Sequence, residues 1–462
     1  MLRSSFYRLY TVALLVFFLS GCEYVRPTLN APLQQWDPQY GYRFHNLAPP
    51  EEGNSDSLFF VVAFSGGGTR ASTLAFGALR ELARQTITWE GKEKRFLDEL
   101  DVIYALSGGT FTGAYYALFG DRIFHDFEAK FLRKDWESEL RKRVFRSPSN
   151  WFRLWSPYFG RSHIMAELLD EAIFEGKTYG DLVRQRTRPG LLIHASDMAT
   201  LSRFEFIQNQ FDLICSDLNQ LPIARASAAS AALPLILSPI TLKSYAGQCG
   251  YEVSQGLQEA SKSTRPVQRQ RAKELLSYLD IDKRPSIHLL DGGLSDNMAL
   301  RSILETVAVQ GNIESVFKAA GVKKGIKKLV FLSVNAETSP DVNEYRSDEI
   351  PVFSRAFSSL VDIPINRYST DTVLLMRFAV EMWRNEVRVR AASGDSIFAE
   401  DADVYFIDAS LGALQDVTEQ EYLMRIPTTL YLTDQQIERL QIAASRLIRD
   451  SPEFQRLMKD LQ

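Results

Sequence analysis

Cysteine and histidine are scarce in this chain of 462 residues, which holds three of the first and five of the second. They form no HExxH or CxxC spacing, so the sequence carries no zinc-site signature, and no acidic loop of EF-hand spacing suggests calcium. No metal or cofactor is expected. Positive charge is not in excess either. The formal net charge is -4, unlike the strongly basic domains that bind nucleic acid, and nucleic acid is not an expected partner. No internal repeat is evident. No Pro/Gly/Ser-rich linker divides the roughly 400 residues from Ser57 onward, a large number for one domain, so a single α/β core with insertions is expected.

Long apolar runs are missing as well. The run from Leu9 to Leu19 is shorter than the about 20 residues that a permanent membrane-spanning helix needs. With Arg3 and Arg8 before it and small residues after it, the run reads as an export signal over residues 1–21. Leu19-Ser20-Gly21-Cys22 resembles the bacterial lipobox, which implies a lipidated Cys22 as the mature N-terminus and a membrane partner held through it. Removing Arg3 and Arg8 takes the formal charge from -4 to -6. Glu23 is not the aspartate that favours inner-membrane retention, so the expected address is the periplasmic face of a Gram-negative outer membrane. Residues 22–56, with five prolines from Pro27 to Pro50, read as a tether, and the globular part is expected over 57–462. Cys215 and Cys249 are the remaining cysteines, free to pair in an oxidising compartment.

Buried-strand patterns are present at Leu58 to Phe64, Val102 to Leu106, Leu191 to Ala195, Ile287 to Leu290, Lys328 to Val334 and Val404 to Ile407. Helical patterns lie between them, for example Thr73 to Ala83 and Ser302 to Val309. The alternation predicts a mostly parallel sheet covered by helices on both faces, a three-layer α/β sandwich. Residues 251–284 read as a polar helical insertion. Residues 136–160 read as a cap-like segment interleaving Arg141, Lys142, Arg143 and Arg146 with aromatic rings. Such a segment suits a lipid interface, although ordinary packing with a solvated charged face is the commoner use of the same pattern. The lysines at 318, 323, 324, 327 and 328 read the same way.

Three motifs could carry chemistry. Phe64-Ser65-Gly66-Gly67-Gly68-Thr69-Arg70 follows a strand and opens a helix, a place where backbone N–H groups can hold an anion. Tyr104-Ala105-Leu106-Ser107-Gly108-Gly109-Thr110 is a variant of the GxSxG nucleophile elbow with Ala105 in place of the first glycine. Leu290-Asp291-Gly292-Gly293 closes a strand expected to be parallel, at the sheet edge where open α/β folds build their sites.

Together these motifs resemble the patatin-like phospholipase family: a glycine-rich oxyanion loop with a following arginine, a GxSxG serine, and an aspartate in a DG[GA] element. The resemblance includes Ala224 to Pro234, similar to the family's small-residue helix start before a proline, and covers roughly Phe59 to Asn297. It implies a patatin-like sandwich and an acyl-ester hydrolase acting on membrane lipid. Ser107 would be the nucleophile, Asp291 its base, and Gly66, Gly67 and Gly68 the oxyanion hole. Arg70, Gly109 and Gly292 would support them, Arg70 by positioning the loop or meeting an anionic head group. No histidine is required and no protein partner is implied. An aspartate is a weak base at its ordinary pKa of about 3.9, so Asp291 is expected to need partial burial.

Three other readings compete. Ser107, Asp197 and His288 occur in the chain order of a Ser-Asp-His esterase, but strand alternation sends His288 and Asp291 to opposite faces, and His194 reads as another structural histidine. Gly66 to Ala71 also fits a dinucleotide-binding turn, with Glu90 as the only acidic candidate after a poor strand. The last is a lipoprotein that keeps the fold without activity, as a binding or assembly scaffold.

Overall fold

The computed structural model describes residues 24–27, 29–46, 54–185, 189–320, 322, 325–339, 353–394 and 396–462, without the side chains of 353–358. The export signal, Cys22, Lys323 and Lys324 lie outside the described residues.

Eight strands form the main sheet: β1 (Leu58–Phe64), β2 (Leu100–Leu106), β3 (Gly190–Asp197), β4 (Ser202–Glu205), β5 (Ile240–Lys243), β6 (Ser286–Leu290), β7 (Ile326–Asn335) and β8 (Phe398–Ser410). Their order is β8-β7-β1-β2-β3-β6-β5, with β4 beside β3. The first five in that order are mutually parallel. β6 is antiparallel to both β3 and β5, which corrects the expectation that Asp291 ends a parallel strand. β6 is buried on one face only, through Ile287 and Leu289, and its sequence does not report its direction, because pairing partners lie far away in sequence.

The principal helices are α1 (Gly68–Arg84), α2 (Gly108–Phe119), α3 (Ile223–Ser230), α4 (Arg301–Gln310), α5 (Phe353–Ala392) and α6 (Asp434–Arg449). Alternation along β1 divides the core in two. Phe60, Val62 and Phe64 join the cluster containing α1, α2 and α6, while Val61 and Ala63 join the cluster containing α4 and α5. The sheet is therefore covered on both faces, the three-layer arrangement that its continuous apolar strands require. α5 had no counterpart in the sequence reading. It runs 40 residues with Pro364 inside, and its Met376, Val380 and Trp383 are buried on the second face. No helix among the described residues is long and apolar enough to cross a membrane.

The stretch read as a tether lies against the domain over residues 29–46. Ala31–Pro32 pairs with Ser216–Asp217. The N–H groups of Leu33 and Trp36 donate to the carbonyls of Cys215 and Cys249, each at 2.8 Å. Those two cysteines form a disulfide. Arg43 makes a buried 2.6 Å ion pair with Asp212, and Tyr42 is fully buried. The prolines keep this strap extended, but Leu33, Tyr42 and Arg43 give it a face that belongs in the fold.

The cap-like segment consists of helices Trp136–Phe145 and Pro148–Leu154 and the loop to Phe159. Trp136 and Phe159 are buried, while Phe145, Trp151, Phe152, Trp155 and Tyr158 are exposed. The insertion carries helices Gln255–Ala260 and Pro266–Ser277, mostly solvated.

Candidate active site

Ser107 occupies the turn between β2 and α2 with φ 45° and ψ -126°, a conformation that a side-chain-bearing residue rarely adopts. Its N–H donates to Ser230 Oγ at 2.8 Å, and its carbonyl accepts from Thr110 Oγ1 at 2.6 Å. These bonds hold the strained turn from both sides. Ala105, in the slot of the first motif glycine, pairs with Phe64 and Ile193 inside the sheet. Gly113 on α2 makes room for it: a Cβ there would sit 3.2 Å from Ala105 Cβ. The departure from GxSxG is thus accommodated by a glycine on the following helix.

Asp291 follows β6. Leu289 faces Asp197 and Leu290 faces Ser196, so the antiparallel strand runs inward from the C-terminal end of β3 and stops near the level of the β2 turn. There Ser107 Oγ donates to Asp291 Oδ2 at 2.8 Å, and the Gly293 N–H donates to Oδ1 at 2.8 Å. Burial pushes the Asp291 carboxyl up to about 6, with the bonds from Gly293 and Ser107 opposing that shift. Ser107 is 8% and Asp291 5% exposed, so the pair is almost closed from solvent.

The glycine loop lies against this turn. A Cβ on Gly108 would fall 2.0 Å from Gly68 O, and one on Gly66 would fall 3.3 Å from Ser107 Cβ. Neither α1 nor α2 has a side-chain N-cap, which leaves first-turn N–H groups for other acceptors. Among the described residues the N–H groups of Gly67, Gly68 and Gly108 have no protein acceptor. The Gly66 N–H donates to Asn297 O at 3.2 Å and is already occupied. By this count Gly66 is not an open donor, whereas Gly108, outside the expected trio, has an open N–H on the facing turn.

Arg70 is buried, and burial brings its guanidinium down to about 10, still cationic at neutral pH. It donates to the carbonyls of Ala336 at 3.1 Å and Ile426, and to Thr428 Oγ1 at 3.3 Å. Of its two expected roles, this geometry fits positioning of the loop rather than contact with a head group. Gly109 and Gly292 are packing positions: a Cβ would meet Phe64 and Ser65 carbonyls at 2.8 and 2.7 Å in the first case and His194 O at 2.6 Å in the second. Ser230, Asn297 and Ser196, whose Oγ donates to Asp291 O at 2.7 Å, were not singled out in the sequence. Ser230 was visible only as one of two serines in the small-residue helix α3.

The Ser-Asp-His alternative is not assembled. Asp197 is held by the Tyr278 hydroxyl at 2.6 Å and by Arg284. His288 is exposed and its Nδ1 meets Thr241 Oγ1 at 2.9 Å. His194 is buried, its imidazole driven down to about 4 by desolvation. Glu90, needed by the dinucleotide reading, sits in the turn of a small hairpin, Thr86–Trp89 with Lys92–Arg95, outside the main sheet. Among the described residues no group of three or more His, Cys, Asp or Glu could hold a metal ion.

No curated protein matches the chain. Among solved structures it is similar to human GIVD cytosolic phospholipase A2, at 10% identity and a TM-score of 0.43, over 88% of this chain and 60% of that one. VipD from Legionella pneumophila is similar at 11% identity and 0.32, over 97% and 73%. ExoU from the type III secretion system of Pseudomonas aeruginosa, in complex with SpcU, is similar at 16% and 0.22, over 66% and 69%. The chain therefore spans about 60% of the length of the human enzyme's structure. The family model of patatin-like phospholipases matches residues 62–304, more than half of the chain and the stretch that holds all three motifs, and the chain belongs to that family.

Proposed function

We propose that this protein is a lipid acyl-ester hydrolase with Ser107 as nucleophile and Asp291 as general base, held by a lipidated Cys22 at the periplasmic face of a Gram-negative outer membrane. The observation that carries the chemistry is the 2.8 Å bond from Ser107 Oγ to a buried carboxylate whose proton affinity is raised. Ser107 Oγ attacks the ester carbonyl as its proton passes to Asp291. The oxyanion meets the open N–H groups of Gly67, Gly68 and Gly108, which act without reorganising. Collapse expels the alcohol with the proton from Asp291. Water then attacks the acyl-enzyme, giving its proton to Asp291, and the acid leaves as Ser107 is restored. The anchor is supported by the lipobox-like sequence, and the Cys215–Cys249 disulfide fits an oxidising compartment.

The test is turnover of a chromogenic short-chain ester and of phospholipid by the wild type, Ser107→Ala and Asp291→Asn. Each substitution should lower kcat by at least about 1000-fold. Equal activity in all three proteins would end the dyad reading, and no turnover by the wild type would leave the fold as a scaffold.

A further inference from the structure

The exposed rings of the cap do not follow the ordinary pattern. Trp155 is 81%, Phe152 71% and Phe145 68% exposed, and Trp151 lies beside them on the helix Pro148–Leu154. Tryptophan and phenylalanine lose more by exposure than other side chains, and a gathered group of them marks a surface that is covered in use. Arg141 and Arg146 flank the rings, exposed and with no ion pair among the described residues. Aromatic rings edged by arginine are suited to the boundary between acyl chains and anionic head groups.

The N-terminal segment says which partner covers this face. Tyr24 and Arg26 do not lead away from the domain. The Tyr24 ring lies 6.5 Å from the Tyr158 ring, Ser156 Oγ donates to Val25 O at 2.6 Å, and Arg26 donates to the Tyr158 hydroxyl at 3.1 Å while stacking over its ring. Cys22 precedes Tyr24 by two positions in the sequence, a length of chain of at most about 7 Å. The strap from Leu33 is clipped to the disulfide-linked loops, and the described chain before it, Tyr24 to Arg26, lies on the cap.

We infer that the face formed by Phe145, Trp151, Phe152, Trp155 and Tyr158 lies in the surface of an anionic lipid bilayer, set there by the anchor beside it. This rests on the lipidation of Cys22 proposed above. The face also leads toward the candidate site. Arg161 donates to Leu235 O at 2.6 Å, and exposed Leu235 stands three residues after Ala232, whose carbonyl accepts the Asp291 N–H at 3.1 Å. A lipid entering from the bilayer would meet the rings first and then the loop whose Ala232 carbonyl holds Asp291.

The test uses the full-length chain carrying Ser107→Ala, so that probe lipids stay intact, bound to vesicles of phosphatidylcholine and phosphatidylglycerol with brominated acyl chains. Tryptophan emission should be quenched, and changing Trp151 and Trp155 to Phe should remove most of the quenching, since Trp89, Trp136 and Trp383 are buried and Trp36 is half-buried in the strap. Protein that floats with the vesicles but is quenched equally with and without Trp151 and Trp155, or not at all, overturns the inference and leaves the anchor intact. A dimer that dissociates in the double variant, without quenching in the parent, overturns it in favour of a second copy. Wild type that no longer floats once Cys22 is changed to Ala supports the anchor; a parent chain that never floats overturns anchor and inference together. Ester turnover by the chain with Ser107 intact reports on the dyad independently of all these outcomes.

Discussion

Asp291 has its carboxylate enclosed at the end of β6 with two hydrogen bonds, from Ser107 and Gly293, and that enclosure acts on two observables. A general base works only when deprotonated, so kcat/KM on a neutral ester should rise with pH through about 6 and level off above it. A rise near the ordinary aspartate value would show that burial does not tune this group. The same shift affects stability. The folded-state value lies above that of the unfolded chain, so the contribution of Asp291 is fully present below the unfolded value and is lost as pH rises through about 6. Asp291→Asn, which carries no charge to bury, should therefore be more stable than the wild type near about pH 8, by up to about 3 kcal/mol, with the gain disappearing near about pH 4. Urea unfolding at the two pH values checks this, and a loss of stability at the higher one would contradict the assignment.

At the level of the element, two strand-to-helix turns are pressed together so closely that both must be glycine at the contact. Gly68 takes φ +59°, and Gly108 approaches its carbonyl where a Cβ would stand 2.0 Å away. Gly108→Ala should push the turns apart, lowering kcat by at least about 100-fold through the oxyanion donors and stability by about 1–3 kcal/mol. Near-normal turnover in an ester assay of this variant would show that the two loops do not share the oxyanion. Both turns were readable because their signals are local: a buried strand, a glycine cluster, a helix. Ser230 and Asn297 were not, because Ser230 reaches the Ser107 N–H across 123 residues and Asn297 acts through its backbone carbonyl, which a residue of any type could supply. α5 escaped for a different reason. Pro364 argues against a helix from local propensity alone, whereas burial of Met376, Val380 and Trp383 against the sheet stabilises the helix beyond it.

At the level of the whole molecule, the strap and the disulfide decide how the domain is attached. The Cys215–Cys249 bond closes a separation of 34 residues, and carbonyls of both cysteines receive N–H groups of the strap. Replacing both cysteines by serine should lower stability by about 3–4 kcal/mol through loop entropy, measured by urea unfolding. It should also open tryptic cleavage at Arg43, which is buried in the intact protein. Persistence of full protection at Arg43 would show that the strap is held without the disulfide. Read from composition, prolines between residues 23 and 56 suggested a spacer; in three dimensions Leu33, Tyr42 and Arg43 find a groove and a buried carboxylate.

The amino-acid sequence alone determined the two-faced sheet, the order of the three motifs and the family they belong to, because buried strands and glycine turns are written in contiguous residues. Tertiary structure alone decided the direction of β6, the side chain that meets Ser107 Oγ, the loss of Gly66 as a free donor and the fate of the strap. Each of these depends on which distant groups satisfy a hydrogen bond or fill a cavity, and only the folded chain brings those groups within reach.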